Sequence, residues 1–204
     1  MAELVLASGN AGKLREIGAM LEPLGWTVRP QSDFGLEEAV EDGLTFIENA
    51  LIKARHAARA TGLPALGDDS GLVVDALHGA PGIYSSRYAG PGADDASNIR
   101  KLLVDLEGVA KSRRVAHFYC TMAFMRHARD PAPLLATGRW DGRILQAPAG
   151  EGGFGYDPVF FVPGENCSAA ELPPARKNRL SHRGQALAAL LRQLQDEKTG
   201  VSAH

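Results

Sequence analysis

The chain has 204 residues, of which 45% are apolar, 23% charged and 6% aromatic, a composition that excludes disorder and allows one substantial core. Its 22 Lys and Arg against 24 Asp and Glu give no charge excess to draw it to nucleic acid or to a membrane surface. Two cysteines, Cys120 and Cys167, outside any CxxC or Cys/His grouping, make neither a disulfide framework nor a zinc site. The opening MAELVLASGN has an acid at position 3 and a short apolar run, so neither a signal peptide nor a membrane span is expected. A cytoplasmic protein follows as the default.

Residues 3–7 read as a buried strand that breaks at Ser8-Gly9-Asn10-Ala11-Gly12-Lys13. A helix to Leu21 follows, with Leu14, Ile17 and Leu21 on one face. WTVRP, 26–30, is a second strand. Thr45 with Glu48 three residues on fits a capping box opening a helix to Thr61. On it Ile47, Leu51, Ala54 and Ala58 form the expected apolar stripe, with Asn49, Lys53 and His56 on a polar one. Short strands are expected at 65–68 and 72–76, with Asp68-Asp69-Ser70-Gly71 between them, then a helix near 95–106 and a strand over 114–126. LLATGRWDG and PVFFV are further strands, separated by the glycine-dense 148–157. A final helix carries Leu187, Leu190, Leu191 and Leu194, and the tail 198–204 is expected to fray. The class is α/β with a mixed sheet and flanking helices, a single domain over residues 1–197.

Strand, glycine loop and helix start at Ser8–Lys13 offer backbone N–H groups and a lysine to an anion. Ala7 and Leu14 stand where a Walker A loop needs Gly and Ser/Thr, so an ordinary P-loop is excluded and a plain strand–helix turn stays open. The adjacent Asp68 and Asp69 repel unless a cation or hydrogen bonds compensate. One or two carboxylates with substrate phosphates suit Mg²⁺, although a turn with Asx hydrogen bonds also explains DDSG. In Gly150–Pro158 the glycines let backbone approach a ligand, and Phe154 and Tyr156 offer ring faces for a base. Ser181 caps the last helix, which leaves His182 and Arg183 beside it without a structural reason.

Five blocks occur in order: LASGNAGKLREI, GLTFIENALIKARHAA, ALGDDSGLVVDALHGAPGIYSSRYAG, GEGGFGYDPVFFVPG and SHRGQAL. Together, from about residue 4 to 195, they closely resemble the inosine/xanthosine triphosphate pyrophosphatase family of purine nucleotide hydrolases. The resemblance implies an elongated fold of two lobes about a long mixed sheet, an active site in the cleft between lobes, a homodimer and a Mg²⁺ cofactor. It places the phosphate loop on Ser8, Gly9, Asn10, Ala11, Gly12 and Lys13, with Lys53 on its helix and Lys177 near the phosphates. Catalysis falls on Asp69, metal binding on Glu41 and Asp69 (Asp42 being the alternative to Glu41), and Ser70 lies beside the substrate. Base recognition falls on Phe154, Gly155, Tyr156, Asp157, His182 and Arg183. The implied reaction converts ITP, dITP or XTP to the monophosphate and pyrophosphate. The alternatives are a Maf-type pyrophosphatase acting on other modified bases and a nucleotide-binding protein without turnover.

Overall fold

The structure is a computed structural model and describes residues 2–9 and 11–200. Seven strands form a mixed sheet in the order β2-β1-β3-β4-β5-β6-β7. They are β1 (Ala2–Leu6), β2 (Trp26–Pro30), β3 (Ala65–Val74), β4 (Val115–Met125), β5 (Leu134–Ile144), β6 (Phe160–Val162) and β7 (Cys167–Ser168). β1 lies parallel to both β2 and β3, with Leu4 opposite Val28 and Val5 opposite Ala65. At the other end β5, β6 and β7 are antiparallel. The helices are α1 (Ala11–Leu21), α2 (Phe46–Thr61), α3 (Asp95–Asp105), α4 (Pro174–Leu180) and α5 (His182–Gly200). Residues 198–200 of the expected frayed tail are thus helical, and the rest of it lies outside the described residues.

Contacts divide the chain into two compact units. The first comprises the chain up to Asp69, Cys120–Gly138 and the chain from Gln185 onwards. Its core has two sides, as the alternation of a strand requires. Leu4, Leu6 and Leu66 pack with Ile17 and Leu21 of α1 and with Leu187, Leu190 and Leu194 of α5. Val5, Ala7 and Ala65 point the other way, onto Ala57 and Ala58 of α2.

The buried face of α2 keeps Ala54 and Ala58 of the expected stripe but turns away from Ile47. Asn49, Ala50, Ala54, Ala57 and Ala58 are buried, whereas Ile47 is exposed. Close approach, not side-chain bulk, selects this face. A Cβ on Gly67 of β3 would lie 2.3 Å from the Ala50 carbonyl oxygen and 2.7 Å from the Ala54 nitrogen, so helix and strand touch backbone to backbone. Thr45 caps α2 by accepting the Glu48 N–H at 3.2 Å. The return bond of the capping box comes one residue early, with Leu44 N–H donating to Glu48 Oε2 at 2.9 Å.

The second unit comprises Ser70–Tyr119 and Arg139–Gly184. Leu72, Leu102, Leu106, Phe118, Trp140, Tyr156 and Phe160 are among its core residues. The buried Arg114 guanidinium donates to the carbonyls of Leu106, Val109 and Leu145, tying the end of α3 to the segment after β5. The helix α4, which opens on Pro173-Pro174, was not expected from the sequence.

Candidate active site

The largest departure from the expected structure creates the first cluster. Asp68-Asp69-Ser70-Gly71 is no turn between two strands; it lies inside the single ten-residue strand β3. Strand alternation then sends the two acids to opposite faces. Asp68, fully buried on the α1 side, pairs with Lys13 Nζ at 2.7 Å. Asp69 points to the α2 side, where Lys53 Nζ donates to its Oδ1 and Asn49 Nδ2 to its Oδ2, both at 3.2 Å. The mutual repulsion expected of adjacent acids is relieved by separation and by a lysine for each.

Lys53 also meets Glu41 Oε1 at 3.2 Å, so one ammonium faces two carboxylates. Asp42 is exposed, and it is Glu41 that the 36–45 segment turns toward α2. Asn49, buried and not among the residues anticipated for the site, holds that segment: its Oδ1 accepts the Gly43 N–H at 3.0 Å. Asparagine in a helix carries no signal of its own until Gly43 and Asp69 are seen on either side of it.

The electrostatics follow from burial and this imbalance. Burial pushes the Asp69 carboxyl above its ordinary pKa, Glu41 adds to the rise, and the donors Lys53 and Asn49 offset it only in part. Burial works against the Lys53 charge, but Asp68, Asp69 and Glu41 outweigh it and hold its pKa above the usual lysine value. Among the described residues no three His, Cys, Asp or Glu gather into a full metal cage. Glu41 and Asp69 nevertheless suit a hard divalent cation that takes its other oxygens from phosphate and water, since both already converge on one cation, the Lys53 ammonium.

Of the glycine loop, Asn10 lies outside the described residues. Ala7 N–H donates to the Leu66 carbonyl and Ser8 N–H to that of Leu6, which brings Ser8 and Gly9 to the end of β1. Ala11, Gly12 and Lys13 form the first turn of α1, which contains no acid.

The second cluster lies within the second unit. Phe154 is 44% exposed, with the Lys177 ammonium 4.6 Å and the Arg183 guanidinium 5.3 Å from its ring centroid. Its N–H donates to Asp157 Oδ2 at 2.8 Å, and the same oxygen accepts a close bond from Lys177. A Cβ on Gly153, which has φ +77°, would strike this carboxylate, so glycine is required there. Asp157 is pushed above the ordinary carboxyl range by burial, with Lys177, the Phe154 N–H and Arg183 pulling the other way. Arg183 Nη2 reaches Ser70 Oγ at 3.5 Å.

Tyr156 does not offer a ring face. It is buried in the core, and its hydroxyl donates to the Ser85 carbonyl at 2.7 Å. His182 is buried as well and stacks on Phe118 with centroids 4.8 Å apart. Ser181 Oγ accepts the Gly184 N–H at 3.1 Å, as a helix-capping serine should.

Comparison with known proteins covers nearly the whole chain. A protein of Vibrio parahaemolyticus named dITP/XTP pyrophosphatase is 58% identical over 194 residues, 95% of this chain and 97% of its own length. The solved structure of a HAM1 protein from Coxiella burnetii superposes with a TM-score of 0.91 at 52% identity, covering 96% of this chain and all of that one. The Staphylococcus aureus Ham1 protein gives 0.87 at 38% identity, covering 96% and 99%. The model of the Ham1 family matches residues 4–193, a span that includes β3 with its two acids and the Phe154 loop alike, and the chain belongs to that family.

Proposed function

We propose that this chain hydrolyses non-standard purine nucleoside triphosphates, namely ITP, dITP and XTP, to the monophosphate and pyrophosphate. One observation carries the reading: a buried carboxylate, Asp69, held by Lys53 and Asn49 with Glu41 on the same ammonium. Relatives over half identical and named dITP/XTP pyrophosphatase support it.

In this mechanism Asp69 orients the attacking water and takes its proton, and its upward-shifted pKa makes it a better base than an exposed aspartate. Lys53 and Asn49 prevent the carboxylate from turning away. Attack falls on the α-phosphorus and pyrophosphate departs in line. Ser8–Lys13, Lys53 and Lys177 bind the phosphates. Glu41 and Asp69 are the residues that would hold Mg²⁺, which when bound neutralises charge on the phosphoryl oxygens. Ser70, adjacent to Asp69 in β3, holds the Arg183 side chain.

For the base, the exposed face of Phe154 stacks on the purine, and the backbone from Gly155 to Asp157 lines its edge. Arg183, with His182, donates to the 6-oxo group that hypoxanthine and xanthine present. Adenine has an amino donor there, and an unmatched buried donor can give discrimination of about 10⁴-fold or more. Residues 1–197 act as one functional domain, working as a homodimer in the cytoplasm. No helix among the described residues is long and apolar enough to cross a membrane.

Product analysis with ITP, dITP, XTP, GTP and ATP at fixed Mg²⁺ tests the reading. Monophosphate and pyrophosphate from the first three are expected, with GTP and ATP poor. Release of orthophosphate with IDP would replace the mechanism by a γ-phosphatase one, and tight binding without turnover would replace it by sequestration. A sedimentation mass near one chain at micromolar concentration would count against the dimer.

A further inference from the structure

Three consecutive residues, Phe154, Gly155 and Tyr156, are each tied to a different part of the second unit. Phe154 N–H donates to Asp157, three residues on, and the Tyr156 hydroxyl donates to the Ser85 carbonyl. The middle tie comes from 60 residues away: Gly155 N–H donates to Asp95 Oδ2 at 2.6 Å. Asp95 is exposed and stands in the first turn of α3. It is not needed there as a cap, because Asp94 fills that place and accepts the Ser97 N–H at 2.8 Å. Tyr156 is locked in the core, so the backbone freedom left to the exposed Phe154 ring is set by the peptides on either side of it.

We infer that Asp95 is a positioning residue for Phe154, fixing the peptide that follows the ring and thereby the face the ring presents to a purine. This rests on the functional reading above and names a further residue that governs base affinity. Asp95 touches no reacting atom. It acts through the Gly155 N–H, so its contribution should depend on the ring being present.

The experiment measures kcat and KM for ITP in Asp95→Ala and Asp95→Asn, each with Phe154 intact and with Phe154→Ala. Asp95→Ala should raise KM by about three- to tenfold, the range one hydrogen bond supplies, with kcat within about twofold. Asp95→Asn keeps an oxygen acceptor and should restore KM to within about twofold of the parent. In the Phe154→Ala background, Asp95→Ala should add less than about twofold, because the two changes share one path. An equal KM rise in both backgrounds, or no rise with Phe154 intact, overturns the inference. So does a loss confined to kcat or to thermal stability, which marks a merely structural aspartate. If the parent protein releases no pyrophosphate from ITP, the functional reading fails and takes the inference with it; turnover that ignores Asp95 defeats the inference alone.

Discussion

Asn49 offers the sharpest test of how the first cluster is built, because a single buried amide ties Asp69 to the segment that carries Glu41. Its nitrogen donates to Asp69 Oδ2 at 3.2 Å and its oxygen accepts from Gly43, two residues after Glu41. Asn49→Ala removes both bonds from a side chain with no exposure, so water does not readily replace them. A hydrogen bond to a charged partner contributes about 1.5–3 kcal/mol. If Asp69 must hold its orientation in the transition state, kcat/KM should fall by about ten- to a hundredfold, since each 1.4 kcal/mol is tenfold. The tie to Gly43 is a neutral bond of about 0.5–1.5 kcal/mol, and its loss should appear in the urea midpoint and as a higher Mg²⁺ requirement through Glu41. Asn49→Asp separates the two. It keeps the acceptor toward Gly43 but sets a third carboxylate against Asp69, disfavouring the ionised base, and should be at least as impaired as Asn49→Ala. Steady-state kinetics with ITP, run beside urea melts, read both effects. An Asn49→Asp enzyme within about threefold of the parent kcat/KM would refute the assignment, because like charges about 3 Å apart in a partly buried site do not leave a base unchanged.

Further outcomes follow from the same geometry. Asp69→Asn keeps shape and loses the charge, so kcat should fall by well over tenfold, a barrier increase above about 1.4 kcal/mol, with the melting temperature little changed; a mutant with more than a tenth of parental kcat removes Asp69 from catalysis. Gly67→Ala forces a methyl to 2.3 Å from the Ala50 carbonyl and should destabilise by about 1–3 kcal/mol or more as α2 is driven off β3; an unchanged urea midpoint would show that the helix yields freely. Arg183→Ala should lower kcat/KM for ITP by about 1.5–3 kcal/mol and ATP far less, whereas Phe154→Ala should weaken both nucleotides alike because stacking reads a ring face. Equal losses of ITP and ATP in Arg183→Ala would assign Arg183 to phosphate or to structure.

Where local chemistry determines local structure, the sequence is an adequate guide. The Thr45 cap, β2 at 26–30 and the Leu14, Ile17 and Leu21 face of α1 are found where the pattern puts them. The failures share a cause. Asp-Asp-Ser-Gly has low strand propensity and reads as a turn, but tertiary partners from α1 and α2 keep it in β3. Apolar period alone puts Ile47 in the α2 stripe, whereas Gly67 selects the small residues Ala50 and Ala54 for close approach. The seven-residue α4 is too short to show a helical period, and only its prolines mark its start. Within the site, the lysines and acids are legible from charge and from the family blocks. Asn49 shows only as a member of the polar stripe with Lys53, and Asp95 not at all, because their partners lie on other elements.

The alternation of β3 also explains why two acids stand together when one would serve the chemistry. Asp68 and Asp69 share a peptide bond yet face different helices, so the strand fixes both α1 and α2 through a single dipeptide. Asp68, fully buried, pairs with Lys13 Nζ and also acts on the Lys53 charge, and removing one member of a buried pair costs about 3–5 kcal/mol because the other charge is stranded. Lys13 is thereby held at the first turn of α1 by a partner that has no solvent of its own. Asp69 differs: it shares one ammonium with Glu41, and burial, with the Glu41 charge added, raises its pKa against the partial offset of Lys53 and Asn49. The difference in surroundings between two identical neighbours therefore comes from the twofold period of a strand, with each helix supplying one lysine and the 36–45 segment adding Glu41 on the Asp69 side.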